Sequence, residues 1–168
     1  DHPNIVALRE VYFDAPPFYV EEEYVAGHDL RTWCEAQGGL ERVPLEVKLE
    51  ITAQVADALQ AAHDAGVIHR DVKPENVIIH QNREVKLTDF GIARVGQESG
   101  ITAPGFALGT PEYLAPEQAA AGKPVDYRAD LYALGVVLFE MLTGRLPFTA
   151  DRPEAVLHAH IFTPPPSP

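Results

Sequence analysis

The amino-acid sequence predicts an α+β fold: a mainly helical body that carries a few short strands. Three observations carry that prediction. Ile51, Val55, Leu59 and Ala62 repeat at helical spacing within a run from Leu45 to Ala65. Leu131 to Leu142 is apolar on nearly all sides, the pattern of a helix buried in a core. Val77 to His80 and Val85 to Thr88 are short apolar runs joined by Gln81-Asn82, which reads as two strands of a hairpin. The 168 residues suffice for one domain or one large lobe, and 46% hydrophobic content is ordinary for a packed chain.

The other elements follow in chain order. Residues 5–13 and 18–25 read as short strands around the turn Asp14-Ala15-Pro16-Pro17. Asp29 to Gln37 reads as a short helix ended by Gly38-Gly39, and Cys34 beside Trp33 packs within it. Pro44 suits the first turn of the long helix, and Gly66 closes it. The hairpin sets Asn76 just before one strand and Asp89 just after the other, so the two converge on one mouth. From Gly91 to Leu108 the chain is irregular, and a loop of that length in a compact domain is usually functional. Pro153 to Phe162 reads as a last helix, and residues 163–168 as an extended, proline-rich connector.

Composition narrows the function classes. The net charge is −12, with 25 acidic against 13 basic residues, so a nucleic-acid partner is disfavoured. The single Cys34 cannot form an internal disulfide, which fits a reducing compartment and a cytoplasmic location. The longest apolar run is too short to span a bilayer and is interrupted by Glu140, so no membrane segment is expected within the chain. Its first residues do not read as a signal peptide.

The most informative stretch is His69-Arg70-Asp71-Val72-Lys73-Pro74-Glu75-Asn76, with Asp89-Phe90-Gly91 beginning 18 residues after Asp71. A carboxylate, a lysine, an amide and a second carboxylate lie within a short run. That set suits phosphoryl transfer from a magnesium–nucleotide complex. One carboxylate orients a hydroxyl, the lysine neutralises phosphate charge, and the amide and second carboxylate offer oxygens to Mg²⁺. Taken singly, Asp71, Asn76 and Asp89 also suit turns and caps, and Lys73 a solvated surface; the fixed spacing argues against that.

The run resembles the catalytic loop of protein kinases, and three further blocks agree in order and spacing. Gly109-Thr110-Pro111-Glu112-Tyr113-Leu114-Ala115-Pro116-Glu117 resembles the end of a kinase activation segment. Asp130-Leu131-Tyr132-Ala133-Leu134-Gly135 resembles the start of the buried central helix, and His2-Pro3-Asn4-Ile5-Val6 the approach to the fourth strand. The wording is most similar to bacterial-type (Hanks-type) serine/threonine kinases. The resemblance implies a protein-kinase-like fold, mainly the helical large lobe with the last small-lobe strands. Residues 1–25 would end the small lobe and form the hinge, and 26–162 would be a large lobe incomplete at its C-terminus.

Roles follow from the resemblance position by position. Asp71 would be the base that accepts the substrate hydroxyl's proton, and Lys73 would contact the transferring phosphate. Asn76 and Asp89 would hold Mg²⁺, with Mn²⁺ as an alternative. ATP would meet the backbone of Glu23 and Val25, the ribose partner Asp29, and Ile78 beneath adenine. Glu75, grouped with the nucleotide site, would help read basic residues in a substrate. Phe90 would pack beneath the regulatory helix and Gly91 would let the loop swing. Arg70 would hold a phosphate on the activation segment, where Ser99 and Thr102 are the acceptor candidates. Thr110 would support Asp71, and Glu117 would pair with an arginine outside the chain. His69 would be structural, and Asp130 would bond the backbone near His69 and Arg70. Glu22 falls at the gatekeeper position, where an unpaired buried carboxylate is costly. It would pair with an absent lysine, turn to solvent, or alter nucleotide binding.

The resemblance also implies what these residues lack. No glycine-rich loop precedes His2, and the strand lysine and its partner glutamate are absent. The chain therefore reads as a fragment of a longer kinase. It would phosphorylate serine or threonine hydroxyls of protein substrates with ATP, need the small lobe for full activity, and turn over slowly alone. An anchor after Pro168 would suit a membrane-bound parent. The alternative is a pseudokinase or scaffold, in which the fold survives as a binding module.

Overall fold

The computed structural model describes residues 2–12, 14–90, 110–119 and 124–168. Gly91, Ser99 and Thr102 lie outside them. Two small antiparallel sheets and five α-helices succeed one another along the described chain. Strands β1 (Leu8–Tyr12) and β2 (Tyr19–Glu22) form the first sheet. They pair from Leu8↔Glu22 to Tyr12↔Tyr19, with an irregularity between Leu8 and Glu10. The expected strand over 18–25 is shorter than its apolar pattern: residues 23–25 leave the ladder.

Strand β3 (His28–Asp29) leads directly into helix α1 (Leu30–Ala36). Asp29 is the N-cap of α1, its carboxylate accepting the Thr32 N–H at 3.0 Å and the Thr32 hydroxyl at 2.6 Å. Helix α2 (Leu45–Asp64) begins one residue after Pro44, which sits at the N-cap rather than inside the first turn. Its end has the Schellman pattern. Gly66 lies at φ 76°, and the Val67 N–H reaches back to the Ala62 carbonyl at 2.9 Å.

The second sheet is β3–β4–β5, with β4 at Val77–Ile79 and β5 at Val85–Leu87. Their connection is a 3-10 turn, Gln81–Arg83, one residue longer than the expected Gln81-Asn82. Asn82 and Arg83 there take left-handed backbones. Ile5 adds a parallel bridge to Leu87, and the Asn4 side chain ties the approach to Gln54 at 3.1 Å and to the Val85 carbonyl at 2.9 Å.

Helices α3 (Pro116–Ala119), α4 (Arg128–Thr143) and α5 (Pro153–Phe162) complete the described fold. Helix α4 starts three residues before the apolar run and ends on Gly144 at φ 72°. Ile51, Val55 and Leu59 of α2 meet Ala133, Val137 and Met141 of α4 in one core with Val77, Val85 and Leu87 of the hairpin. Complete burial of such a side chain contributes roughly 1.5–3 kcal/mol. The α4 run is not buried all round: Leu131 and Leu142, at its two ends, are exposed. The core therefore includes the hairpin that carries Asn76 and Asp89 at its ends.

Candidate active site

The mouth of the β4–β5 hairpin brings the predicted ligands together. Val77 pairs with Leu87, and the Thr88 N–H donates to the Asn76 carbonyl at 3.0 Å. Asn76 and Asp89 thus emerge side by side. Asn76 is buried, and its amide nitrogen donates to the Asp71 carbonyl at 2.8 Å and to Asp71 Oδ2 at 3.1 Å. Two acceptors on one end identify that end as the nitrogen, so Oδ1 is the end left for a cation. Asp89 is exposed, with a left-handed backbone at φ 62°. An amide oxygen and a carboxylate are hard oxygen donors of the kind Mg²⁺ takes beside substrate phosphates, so the donor set fits.

Asp71 is gripped from one side. Lys73 Nζ lies 2.7 Å from Asp71 Oδ2, the oxygen that also accepts from Asn76. Among the described residues Oδ1 receives no hydrogen bond, which leaves it for an incoming hydroxyl. The Asp71 N–H donates to His69 Nδ1 at 3.2 Å, and His69 Nε2 bonds the Thr88 carbonyl at 2.8 Å. The imidazole therefore joins the backbone before Asp89 to that of Asp71. Burial holds His69 below its usual pKa, so the ring is neutral, with the proton on Nε2.

Asp130, fully buried on α4, supports the loop from below. It accepts the His69 N–H at 2.8 Å and the Arg70 N–H at 2.7 Å. It also bonds His63 Nε2 at 2.7 Å, a partner at the end of α2 that sequence reasoning missed. A histidine in a helix's last turn was the available signal. Arg70 has a left-handed backbone at φ 69°, and its buried Nε has no hydrogen-bond partner among the described residues. The Phe90 ring packs against the His69 ring, 4.5 Å between centroids.

The hinge-side residues are arranged differently. The Glu23 carboxylate accepts from Lys86 at 3.0 Å and from the Ala7 N–H at 3.1 Å. The Ala7 and Lys86 bonds hold it below the usual carboxylate range. Val25 is half-buried and Tyr24 is 87% exposed. Gly27 passes so close to β4 that a Cβ would collide with the Ile79 carbonyl oxygen and crowd Ile78. Both Asp29 oxygens cap α1; burial opposes ionisation there, but the Thr32 bonds hold the pKa low. Glu22 is half-buried rather than turned to open solvent, and the lysine expected to meet it is absent from these residues. It accepts the Thr88 hydroxyl at 3.1 Å and lines a cavity of about 730 Å³ with His2, Ile5, Ala62, Asp89 and Phe90. Burial pushes its pKa up, the nearby Asp89 charge adds to this, and the Thr88 bond opposes it.

A second network was not foreseen. Arg31 donates to Glu75 at 3.1 Å, to Glu140 at 3.2 Å and to the Tyr113 hydroxyl at 2.9 Å. Tyr113 in turn donates to Glu140 at 2.6 Å. The chain's own guanidinium therefore engages one oxygen, Oε1, of the half-exposed Glu75 carboxylate expected to meet a basic substrate residue. The acid inside an otherwise apolar helix, Glu140, was the sequence signal for a buried polar partner. Thr110 opens the turn Pro111–Tyr113, where its carbonyl accepts the Tyr113 N–H at 3.1 Å. The Glu117 charge is felt at Tyr132 and Arg128.

Comparison with known proteins shows the family. Residues 1–163 match the family model described as the protein kinase domain. The chain is 43% identical over 160 residues to a probable serine/threonine-protein kinase of Clostridium perfringens, covering 95% of this chain and 23% of that protein. It is 42% identical over 166 residues to serine/threonine-protein kinase PknB of Mycobacterium leprae, covering 96% of this chain and 26% of that one. It is 40% identical over 167 residues to serine/threonine-protein kinase PrkC of Bacillus subtilis, covering 99% and 25%. The chain thus spans about a quarter of the length of these relatives. No helix among the described residues is long and apolar enough to cross a membrane. On the match over residues 1–163 and these identities, the chain belongs to the protein kinase family, alongside bacterial serine/threonine-protein kinases.

Proposed function

We propose that the protein transfers the γ-phosphoryl group of ATP to serine or threonine hydroxyls of other proteins. The observation that carries this reading is the Asp71 carboxylate, held through Oδ2 by Lys73 at 2.7 Å and Asn76 at 3.1 Å, with Oδ1 open. In the reaction the substrate oxygen bonds to the γ-phosphorus, the bond to the leaving ADP oxygen breaks, and the hydroxyl proton passes to Asp71. Lys73 would neutralise charge on the transferring phosphoryl. Asn76 and Asp89 would hold Mg²⁺, or Mn²⁺ in its place, which neutralises the phosphate oxygens when bound. The backbone of Glu23 and Val25 would face adenine, with Ile78 beneath it. A ribose hydroxyl could reach Asp29 only beside its two cap bonds. The Arg70 Nε, buried and without a hydrogen-bond partner among the described residues, supports a role in holding an anion of the activation segment, with Ser99 and Thr102 as phosphate acceptors. These residues act in the cytoplasm in this reading, where ATP is available. No observation favours the scaffold alternative.

The test uses the full-length gene product, labelled ATP and a degenerate peptide library with serine and threonine acceptors. Transfer should require a divalent cation, and Asp71→Asn should lower it by about 10³-fold. Undiminished transfer by that variant, or transfer in chelator, would overturn the reading. The 168 residues hold no glycine-rich loop and no strand lysine. A polypeptide of these residues alone should therefore be slower than the full-length product by about 10²-fold or more. Equal rates, measured side by side, would show that the small lobe is dispensable.

A further inference from the structure

Gln118 is the third residue of the single-turn helix α3, and the two ends of its amide bond two different segments. Oε1 accepts the Ala115 N–H at 3.1 Å, which is the reciprocal half of a capping box at the start of α3. Nε2 donates to the Arg70 carbonyl oxygen at 2.8 Å, across 48 residues of sequence. The pair of bonds settles the amide's orientation, since turning it over would set oxygen against oxygen and N–H against N–H.

A cap needs only the first bond. The second falls on the peptide unit that joins Arg70 to Asp71. Both polar atoms of that unit are engaged: its carbonyl oxygen by Gln118, and its N–H by His69 Nδ1 at 3.2 Å. Arg70 itself is held at φ 69°, a left-handed backbone that is unfavourable for a side-chain-bearing residue. Such a backbone persists only where its surroundings determine it. Asp130 holds the N–H side of Arg70 at 2.7 Å, and Gln118 holds the carbonyl side. Rotation of the Arg70–Asp71 peptide plane would swing the Cα–Cβ bond of Asp71 and carry Oδ1 away from the hydroxyl it meets. Among the described residues, the Gln118 amide makes the side-chain hydrogen bond that joins the segment 110–119 to the loop 69–76.

We infer that Gln118 is a positioning residue for Asp71: its Nε2 bond to the Arg70 carbonyl couples the anchored end of the activation segment to the orientation of the base. The inference rests on the reading of Asp71 as that base. It goes beyond a cap, because it assigns the two bonds of one side chain to two separable jobs.

Two variants separate them in the full-length gene product. Gln118→Glu keeps an oxygen for the Ala115 N–H and removes the donor to Arg70. Gln118→Met removes both bonds at similar length. Steady-state transfer is measured with ATP and the peptide that the wild type phosphorylates fastest in the degenerate library, beside urea unfolding. Gln118→Glu sets an oxygen against the Arg70 carbonyl, so it should unfold somewhat below the wild-type midpoint yet stay folded under assay conditions, keep KM for ATP within about twofold and lose about tenfold in kcat, the cost of a small misplacement of the base. Gln118→Met should lose a similar factor in kcat and also unfold earlier. Wild-type kcat in Gln118→Glu would overturn the inference and leave a helix cap only. A kcat loss in Gln118→Glu matched by an equal loss of folded protein would also overturn it. Asp71→Asn runs beside them. If that variant or the wild type behaves against the kinase reading, that reading fails and takes this inference with it; if only Gln118→Glu does, the inference alone fails.

Discussion

The proposed catalytic loop, residues 69–76, and the proposed hinge, residues 22–25, are held in opposite ways. At the loop, Asp71 and Asn76 stand on bonds that lead into the core: His69 and Asp130 are both buried, and Asp130 alone accepts two backbone N–H groups and His63. At the hinge, carboxylates crowd a thin two-stranded sheet. Glu10 lies directly across from Glu21, a like-charged cross-strand pair that is unfavourable, and Arg9 offers Glu21 only a 3.8 Å contact. Glu22 turns inward to a hydroxyl instead of a cation. The difference teaches which half of the site these residues organise by themselves. The groups proposed to do chemistry are preorganised by the large core, whereas those proposed to face the nucleotide depend on what surrounds the first sheet.

The sharpest way to break this contrast is Asp130→Ala. It leaves two buried backbone donors and His63 without their acceptor, and should destabilise the protein by about 3–5 kcal/mol. The urea midpoint reads it. A midpoint near that of the wild type would mean that the loop is not held from below.

The two regions should also respond to pH with opposite sign. The folded-state pKa of His69 is depressed by burial, and so is that of His160 on α5. The unfolded chain therefore takes up protons first as pH falls through about 6.5. Stability present above that value is lost below it, with a slope of up to about 1.4 kcal/mol per pH unit for each such histidine. Urea midpoints between pH 8 and pH 5 would show the fall; a flat profile would mean that these rings are hydrated in the folded state.

Glu22 acts the other way. Its folded-state pKa is raised by burial, so its contribution is complete below the ordinary carboxylate value and is lost as pH rises through the folded value. Glu22→Met should therefore raise the thermal midpoint at pH 8 by roughly 2 °C, about 0.5 kcal/mol. The gain should vanish near pH 4, where both side chains are neutral. A gain independent of pH would trace the effect to packing and not to charge.

What could be read in the sequence follows from distance along the chain. Asp71, Lys73 and Asn76 lie within one short loop, so their mutual spacing is itself geometric information. Asp89 joined them because a hairpin returns the chain to its starting point. The helical period placed α2, the apolar run placed α4, and the span read for α5 held, while other ends were less legible. Pro44 proved to be an N-cap, β2 stopped at Glu22, and α4 reached back to Arg128. The missed residues are those whose partners are remote. Arg31 meets Glu75 and Glu140, His63 meets Asp130, and Gln118 meets Arg70. Neither member of such a pair carries a local pattern that names the other.

The amino-acid order alone determined the family, the helical core and the identity of the chemical groups, because periodicity and motif spacing are local properties. Tertiary packing decided which carboxylates are available. It left Asp71 Oδ1 open, engaged Glu75 Oε1 with Arg31, drew both oxygens of Asp29 into a cap and turned Glu22 toward Thr88. The physical reason is that a carboxylate's role depends on the donors within about 3 Å of it. Those donors are chosen by the packing of segments far apart in the chain.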